Sequence, residues 1–391
     1  MNESARPSAL ARASAVRLVS VTIGDWTPLG STVELSVAPR RTVLISKGGP
    51  LSSVLVRGIA EGARMAVHAL SDPDKPRHFR CELVGDRGEH LVYAYDRRFQ
   101  DLDDEDDPFP PSMRWEEKAA RTDESNVDLW TVRDRRVVFG DGTRASLPSG
   151  VGALALAGDS ADRVPEDARR IRAFLEGIRW LGASLSRPAA EDRCDITLTG
   201  RSGVLWTSRG LDARLLSLAS TLLLWFEQYR ERFTDVAELC HRIGAPGALR
   251  VSISSDATTN ADLGPQDRAV ISFEGIDFGR LADTVLRRLE LLVALVDPNA
   301  TALLVEEPEN AAVPGMIGKL LEVIEERLGQ RQIIVSTKTP HVVDWVEPDE
   351  LRLVENQRGR GVSARGLGAA ELTDALAQIR KGQTLSSILA S

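Results

Sequence analysis

A short apolar run, Thr42-Val43-Leu44-Ile45, leads straight into Ser46-Lys47-Gly48-Gly49-Pro50 and then into Leu51 to Leu70, where apolar residues recur at helical spacing. A buried strand, a tight glycine turn and a helix together leave few folds open. Such a turn aims backbone N–H groups, and the positive end of the helix behind it, at one point, which is the geometry of a phosphate-binding loop.

The last third extends this reading. Phe278 to Val296 has helical spacing, Ala302 to Val305 is a buried strand, Gly315 to Leu328 is an amphipathic helix, and Gln332 to Val335 and Leu351 to Val354 are further strands. Strands alternating with helices predict an α/β fold with a largely parallel sheet. The N-terminal part reads differently: Val16 to Ile23 and Ser31 to Val37 alternate as paired strands. Phe79 to Tyr95 reads as a hairpin turning at Gly85-Asp86-Arg87-Gly88, and Asp141-Gly142 marks another inside Val132 to Leu147. Helical patterns cover Pro165 to Leu185 and Leu211 to Arg242, the second with a core stripe of Leu215, Leu218, Leu222, Trp225 and Phe226. Residues 101–107, DLDDEDD, hold six acids ahead of Pro108-Phe109-Pro110-Pro111 and read as an exposed boundary loop, with an acidic docking site as the alternative.

Composition closes several classes. The 391 residues carry 49 Lys+Arg against 57 Asp+Glu, a net charge of −8, which argues against a dedicated DNA-binding module. No apolar stretch reaches the ~18 residues of a membrane span, and the opening MNESARPSALARASAV has no apolar signal core, so no membrane association and a cytoplasmic location are expected. Cys81, Cys194 and Cys240 lie far apart without a CxxC pair, against a zinc module or a disulfide framework. Arg169, Arg170, Arg172 and Arg179 would suit nucleic acid, but on an acidic chain they read more simply as a solvated helix face.

Two later stretches carry a family resemblance. Leu303-Leu304-Val305-Glu306-Glu307-Pro308-Glu309-Asn310, with Pro314 following, resembles the LLIDEPEN Walker B and D-loop stretch of the P-loop ATPases related to ABC, SMC and OLD heads. Ile333-Ile334-Val335-Ser336-Thr337-Lys338-Thr339-Pro340-His341 resembles the VIVTTHSP switch stretch of the same family, and the N-terminal strands resemble its opening meander. The matches frame the chain, while residues 100–265 are much less specific. The resemblance implies an ABC/SMC-head-like P-loop fold, with three parts. Residues 1–100 would form a first lobe with the altered Walker A loop, 101–265 an insertion of hairpin strands and a helical lid, and 266–391 a second lobe.

By the same resemblance, ATP and Mg²⁺ would be held by Ser46, Lys47, Gly48, Gly49, Ser52 and Ser53, with Ser53 and Glu306 as metal partners and Glu307 and Lys338 as the catalytic pair. The chain departs from that pattern at each element. Aligned on Thr42 to Ile45, the GxNGxGKST loop falls on Ser46 to Val54, so Leu51 replaces a glycine and Ser52 the lysine that bridges the β- and γ-phosphates. Lys47-Gly48-Gly49 resembles the start of the KGGxGKT loop of partition ATPases, in which the first lysine reaches toward phosphate. Glu306 stands for the Walker B aspartate, although Mg²⁺ tolerates little departure from octahedral geometry. Glu307 remains as the general base, and Lys338 replaces the switch histidine, either pairing with Glu306 or Glu307 or supplying phosphate charge. Leu281-Ala282-Asp283-Thr284 stands where the family shows LSDG.

Four altered elements together predict relaxed demand for hydrolysis. The expected function is a pseudo-ATPase scaffold or regulatory subunit, pairing as a homo- or heterodimer through its head, in a defence or DNA-maintenance system. The alternative is a slow ATPase using Lys47 or Lys338 for phosphate charge and Glu307 as base. An OLD-type nuclease is disfavoured because only about fifty residues follow Pro340. A long-armed chromosome organiser is disfavoured because the insert lacks sustained heptads.

Overall fold

The fold is that of a computed structural model, described for residues 16–46, 50–68, 74–99, 113–123, 127–133, 136–147, 152–156, 165–182, 196–198, 213–245, 247–260, 264–357, 361–368 and 371. Strands β1 (Arg17–Gly24), β2 (Val33–Ser36) and β3 (Arg41–Ser46) precede helix α1 (Leu51–His68). An antiparallel run follows: β4 (His78–Val84), β5 (His90–Phe99), β6 (Met113–Arg121), β7 (Val127–Arg133), β8 (Arg136–Phe139) and β9 (Arg144–Ser146). Next come α2 (Ala153–Leu156), α3 (Glu166–Glu176), β10 (Ile178–Leu181), β11 (Ile196–Leu198), α4 (Ala213–Gln228) and α5 (Arg230–Arg242). A long hairpin, β12 (Leu249–Asn260) and β13 (Gly264–Phe273), leads to β14 (Ile276–Asp277), α6 (Asp283–Val296) and β15 (Ala302–Glu306). The chain closes with α7 (Ile317–Leu328), β16 (Gln332–Ser336), α8 (Pro340–Val343), β17 (Leu351–Gln357) and β18 (Gly361–Gly366).

Contacts divide the chain into two units, the first of Met1–Trp180, Asn299–Glu306 and Gln330–Ser391, the second of Leu181–Pro298 and Glu307–Gly329. The first holds two sheets. In the six-stranded sheet, ordered β10-β15-β16-β3-β17-β18, strands β15, β16, β3 and β17 run parallel and β18 turns back antiparallel. The eight-stranded sheet, ordered β2-β1-β4-β5-β6-β7-β8-β9, is antiparallel throughout. The α/β expectation and the N-terminal meander stand, but the expectation of a largely parallel sheet is corrected: strand pairing in the molecule is mostly antiparallel. Hairpins joined by tight turns need no crossover helix, and most strands here follow one another through such turns.

Helix α1 holds this unit together because it is apolar on more than one side. Leu55, Ile59 and Met65 are fully buried in a core that also contains Phe79, Tyr93 and Trp130 of the antiparallel sheet and Leu44, Leu304 and Ile334 of the parallel one. Burying each such side chain contributes about 1.5–3 kcal/mol. Close approach is possible because the helix carries glycine at the contact: a Cβ on Gly62 would lie 2.1 Å from the Phe79 ring. Gln332, at the start of β16, ties the sheets by hydrogen bonding. Its Nε2 donates to the carbonyls of Leu18 and Ala38, both at 2.9 Å, and its Oε1 accepts from the Leu18 N–H.

In the second unit β11 and β12 flank β13, and helices α4, α5, α6 and α7 supply the apolar packing. The pattern expected as one helix over Leu211 to Arg242 is two, parted at Tyr229. Helices α4 and α5 occupy the stretch expected as a helical lid, yet they pack against α6 as part of this unit's own core, and a covering role is not established by that packing. The helix expected from Pro165 to Leu185 stops at Gly177, where a Cβ would meet the Asn299 carbonyl at 2.6 Å, and the chain then joins the parallel sheet as β10. Among the described residues no helix is long and apolar enough to cross a membrane.

Candidate functional site

The parallel strands bring their carboxyl ends together, the edge at which open α/β sheets place ligands. Glu306 ends β15 directly beside Ser336, which ends β16, and Ser336 lies beside Leu44 of β3. Past the strand, the Thr337 N–H donates to the Leu44 carbonyl at 3.1 Å and keeps the chain on the sheet for one more residue. Ser46 ends β3. Lys47, Gly48 and Gly49, expected to cradle phosphate, lie outside the described residues. The chain re-enters at Pro50, whose carbonyl accepts the Val54 N–H at 2.9 Å as α1 begins.

The first turn of α1 places both predicted serines at this edge, and the first unit's own side chains take up their hydroxyls. The Ser53 and Ser336 hydroxyls lie 3.0 Å apart in a buried hydrogen bond, and Ser52 donates to Ser46 at 3.4 Å. Ser52, standing where the family has its lysine, is only 2% exposed. Glu306 is buried as well, and its Oε1 accepts the Trp180 indole N–H at 2.8 Å. A buried carboxylate needs such donors, since an unsatisfied polar group in this setting costs about 1–3 kcal/mol. Lys338 is exposed just beyond β16.

Glu307 groups with the second unit, and its backbone is unusual. It sits at φ 49° and ψ 64°, a left-handed conformation that only glycine adopts freely. Its Oε2 accepts the Asn310 side-chain amide at 2.9 Å, and its carbonyl accepts the Asn310 N–H at 2.9 Å, so the residue is folded onto the turn that follows. In the same unit Ala282 precedes α6, and Asp283, Thr284, Arg287, Glu309 and Asn310 surround a shallow cavity of about 330 Å³. The altered signature and D-loop stretches therefore share one local surface.

Thus the structure brings together Ser46, Ser52, Ser53 and Glu306 from the predicted set. Sequence reasoning missed Trp180 and gave Ser336 no role. Nothing around Trp180 in the sequence points to Glu306, 126 positions away. Ser336, by contrast, was readable as the polar residue closing a buried strand at the ligand edge.

Magnesium triphosphate requires a hydroxyl and a carboxylate turned toward the metal and a cation turned toward the phosphates. Here the hydroxyl at 53 is bonded to Ser336, the carboxylate at 306 holds an indole, and position 52 is a buried serine. These described residues do not fit that group as they stand.

The chain is similar to P-loop ATPase heads of SMC and ABC type. An SMC head bound to the C-winged helix domain of ScpA aligns over 90% of this chain and 98% of that one, at 12% identity and a TM-score of 0.42. The SMC head domain from Thermotoga maritima aligns over 90% and 100%, at 12% identity and a TM-score of 0.38. An ATP-binding subunit of an ABC transporter aligns over 96% and 100%, at 11% identity and a TM-score of 0.39. No family model matches the sequence, and no curated protein is a significant match. Likeness at these scores carries no chemistry, which rests on the side chains described above.

Proposed function

We propose that this chain is an ATPase-head-like scaffold or regulatory subunit, with weak or absent ATP binding, that works by pairing with a protein partner. The observation that carries this reading is the closure of the strand ends on protein groups, Ser53 on Ser336 and Glu306 on Trp180. Opening that arrangement for a nucleotide would break one buried and one partly buried hydrogen bond before any phosphate contact formed, the buried one costing about 1–3 kcal/mol if left unmade. The loss of the bridging lysine and of the switch histidine acts in the same direction, since each such group supplies ~10²-fold or more of transition-state stabilisation. The partner is inferred from the sequence resemblance alone: heads of that family pair face to face, so a homo- or heterodimer is the expected assembly, in a defence or DNA-maintenance setting.

A second reading retains slow hydrolysis, with Lys47 or Lys338 supplying phosphate charge and Glu307 acting as base. The left-handed backbone at Glu307 favours it, because strain of that kind gathers at functional positions. Isothermal titration of the full chain with ATP and Mg²⁺, alongside a phosphate-release assay, separates the two. The scaffold reading expects no micromolar binding and no turnover above the blank. Micromolar binding that disappears in Lys338→Ala or Lys47→Ala would reject it in favour of the second.

A further inference from the structure

The last three strands of the antiparallel sheet have two unlike faces. Trp130, Val132 and Val137 turn into the core, each 1% exposed. The opposite face carries Thr131 and Arg133 on β7, Arg136 and Val138 on β8, and Arg144 and Ser146 on β9. Arg133 stands directly across from Arg136, and Val138 from Arg144, so Arg136 and Arg144 are diagonal neighbours. Together these side chains line a shallow groove of about 870 Å³.

All three arginines are exposed, and among the described residues none of them is ion-paired. Glu116 lies across from Arg133 on β6 without bridging to it, and Lys118 on the same strand is taken up by Asp128 at 2.8 Å. Like charges directly opposed across strands are destabilising; Glu116 offers Arg133 an opposite charge on its other flank, whereas Arg136 faces Ser146 and Arg144 faces Val138. Protection of a sheet edge accounts for a charge on the outermost strand, which is Arg144. It does not account for Arg133, two strands further in.

We propose that this face binds the phosphodiester backbone of nucleic acid, without base specificity. Guanidinium groups engage phosphate through two parallel N–H donors, and hydroxyls such as those of Thr131 and Ser146 are common phosphate partners. Cross-strand and diagonal neighbours stand ~5–8 Å apart, which suits a row of phosphates better than a single small anion. The described residues of this face include no aromatic ring on which a base would stack. An acidic peptide would dock by adding a strand to the sheet, and β9, three residues long, offers too short an edge. The net charge of −8 is no obstacle, because the field of a cluster is felt within about one Debye length, ~10 Å at 0.1 M salt. The proposal does not depend on the state of the nucleotide position.

The test is fluorescence anisotropy of the full chain with a labelled mixed-sequence DNA duplex between 50 and 200 mM salt. Changing Arg133, Arg136 and Arg144 together to alanine is expected to weaken binding at least tenfold. It should also lower the slope of log K against log salt by about 0.9 for each phosphate that is no longer neutralised. Arg250→Ala, at an exposed arginine of the second unit, should leave both unchanged. Because the three arginines are exposed and Arg133 opposes Arg136, the triple variant should melt no lower than the native protein, and Arg136→Ala alone should weaken binding about threefold. The proposal is overturned if the native protein shows no binding at 50 mM salt, if the triple variant binds as the native protein does, or if polyglutamate displaces the duplex at equal charge concentration.

Discussion

Arginines of the first unit fall into two groups that the sequence does not distinguish. On α3 and β6 they are spent inside the molecule. Arg170 reaches Asp86 at 2.9 Å, hydrogen bonds Glu89 and lies 3.6 Å from Asp167, while Arg121 closes on Asp167 from the other side. On β7 to β9 three arginines face outward, and among the described residues none of them is ion-paired. Both groups are cationic clusters in the linear chain, and the α3 group is the denser. The difference lies in what the fold delivers to them: the turn between β4 and β5 brings acids into contact with α3, whereas on the outer strands Arg133 faces Arg136 on one side and Glu116, which does not bridge to it, on the other. Partner supply decides whether an arginine cluster belongs to stability or remains available to a ligand.

The comparison breaks most severely at Arg170. Glu89 is a buried carboxylate whose guanidinium partner is Arg170, while Asp167 keeps Arg121, so Arg170→Met would strand Glu89, at a cost of about 3–5 kcal/mol, read as a lower urea midpoint. The same cluster sets an acid response. Desolvation raises the Glu89 carboxyl, but the Arg170 hydrogen bond, backbone N–H groups and the guanidinium charge outweigh it and hold the group below the ordinary carboxylate range. A carboxylate lowered in the folded state contributes stability that is full above its unfolded pKa and is lost as pH falls through the folded one. Urea midpoints measured from pH 6 down to pH 3 should therefore fall in the native protein and fall less steeply in Arg170→Met. Parallel curves would mean that Glu89 draws nothing from this partner.

A smaller effect is expected at the strand ends. Ser53→Ala and Ser336→Ala should each cost about 1 kcal/mol, and the double variant less than their sum, because either change alone leaves a buried hydroxyl without its partner. Strict additivity in thermal or urea unfolding would show that the two hydroxyls are not satisfied by each other. The reading of a closed nucleotide position would then lose half its support.

How much of this was legible in the sequence depended on whether the signal was local. The strand, turn and helix around Ser46 to Leu55, the hairpins at Gly88 and Gly142, and the buried strands at Leu304 and Ile334 are written in periodicity and turn residues. The long hairpin of β12 and β13 was missed: its strands carry polar runs such as Ser254-Ser255-Asp256 that do not alternate as a half-buried strand should. Helix α3 was expected to run on because Ile178 and Trp180 continue its apolar pattern, yet pairing with β15 claimed them as a strand. Of the predicted site residues, Ser46 and Glu306 end strands and Ser52 and Ser53 lie in the first turn of a helix, positions that the local pattern made readable. Their state was not legible, because Trp180 and Ser336 reach Glu306 and Ser53 through tertiary contacts of long sequence separation. For the same reason the arginine face stayed hidden, since Arg133, Arg136 and Arg144 become neighbours only through strand register.

The smallest effect expected is also the one that best isolates the arginine face. Arg136→Glu places a carboxylate directly across from Arg133 and diagonal to Arg144, exchanging a repulsive cross-strand pair for an attractive one. Such exchanges are worth roughly 0.2–1 kcal/mol, so the variant should unfold at a slightly higher urea midpoint than the native protein. Its duplex binding should nevertheless fall further than that of Arg136→Ala, because the charge is reversed and not merely removed. Stability rising while binding falls is the signature of a charge kept for a ligand at the expense of the fold. If Arg136→Glu were instead destabilised by more than about 1 kcal/mol, an amount exposed substitutions rarely reach, Arg136 would belong with Arg170 among the arginines that hold the fold.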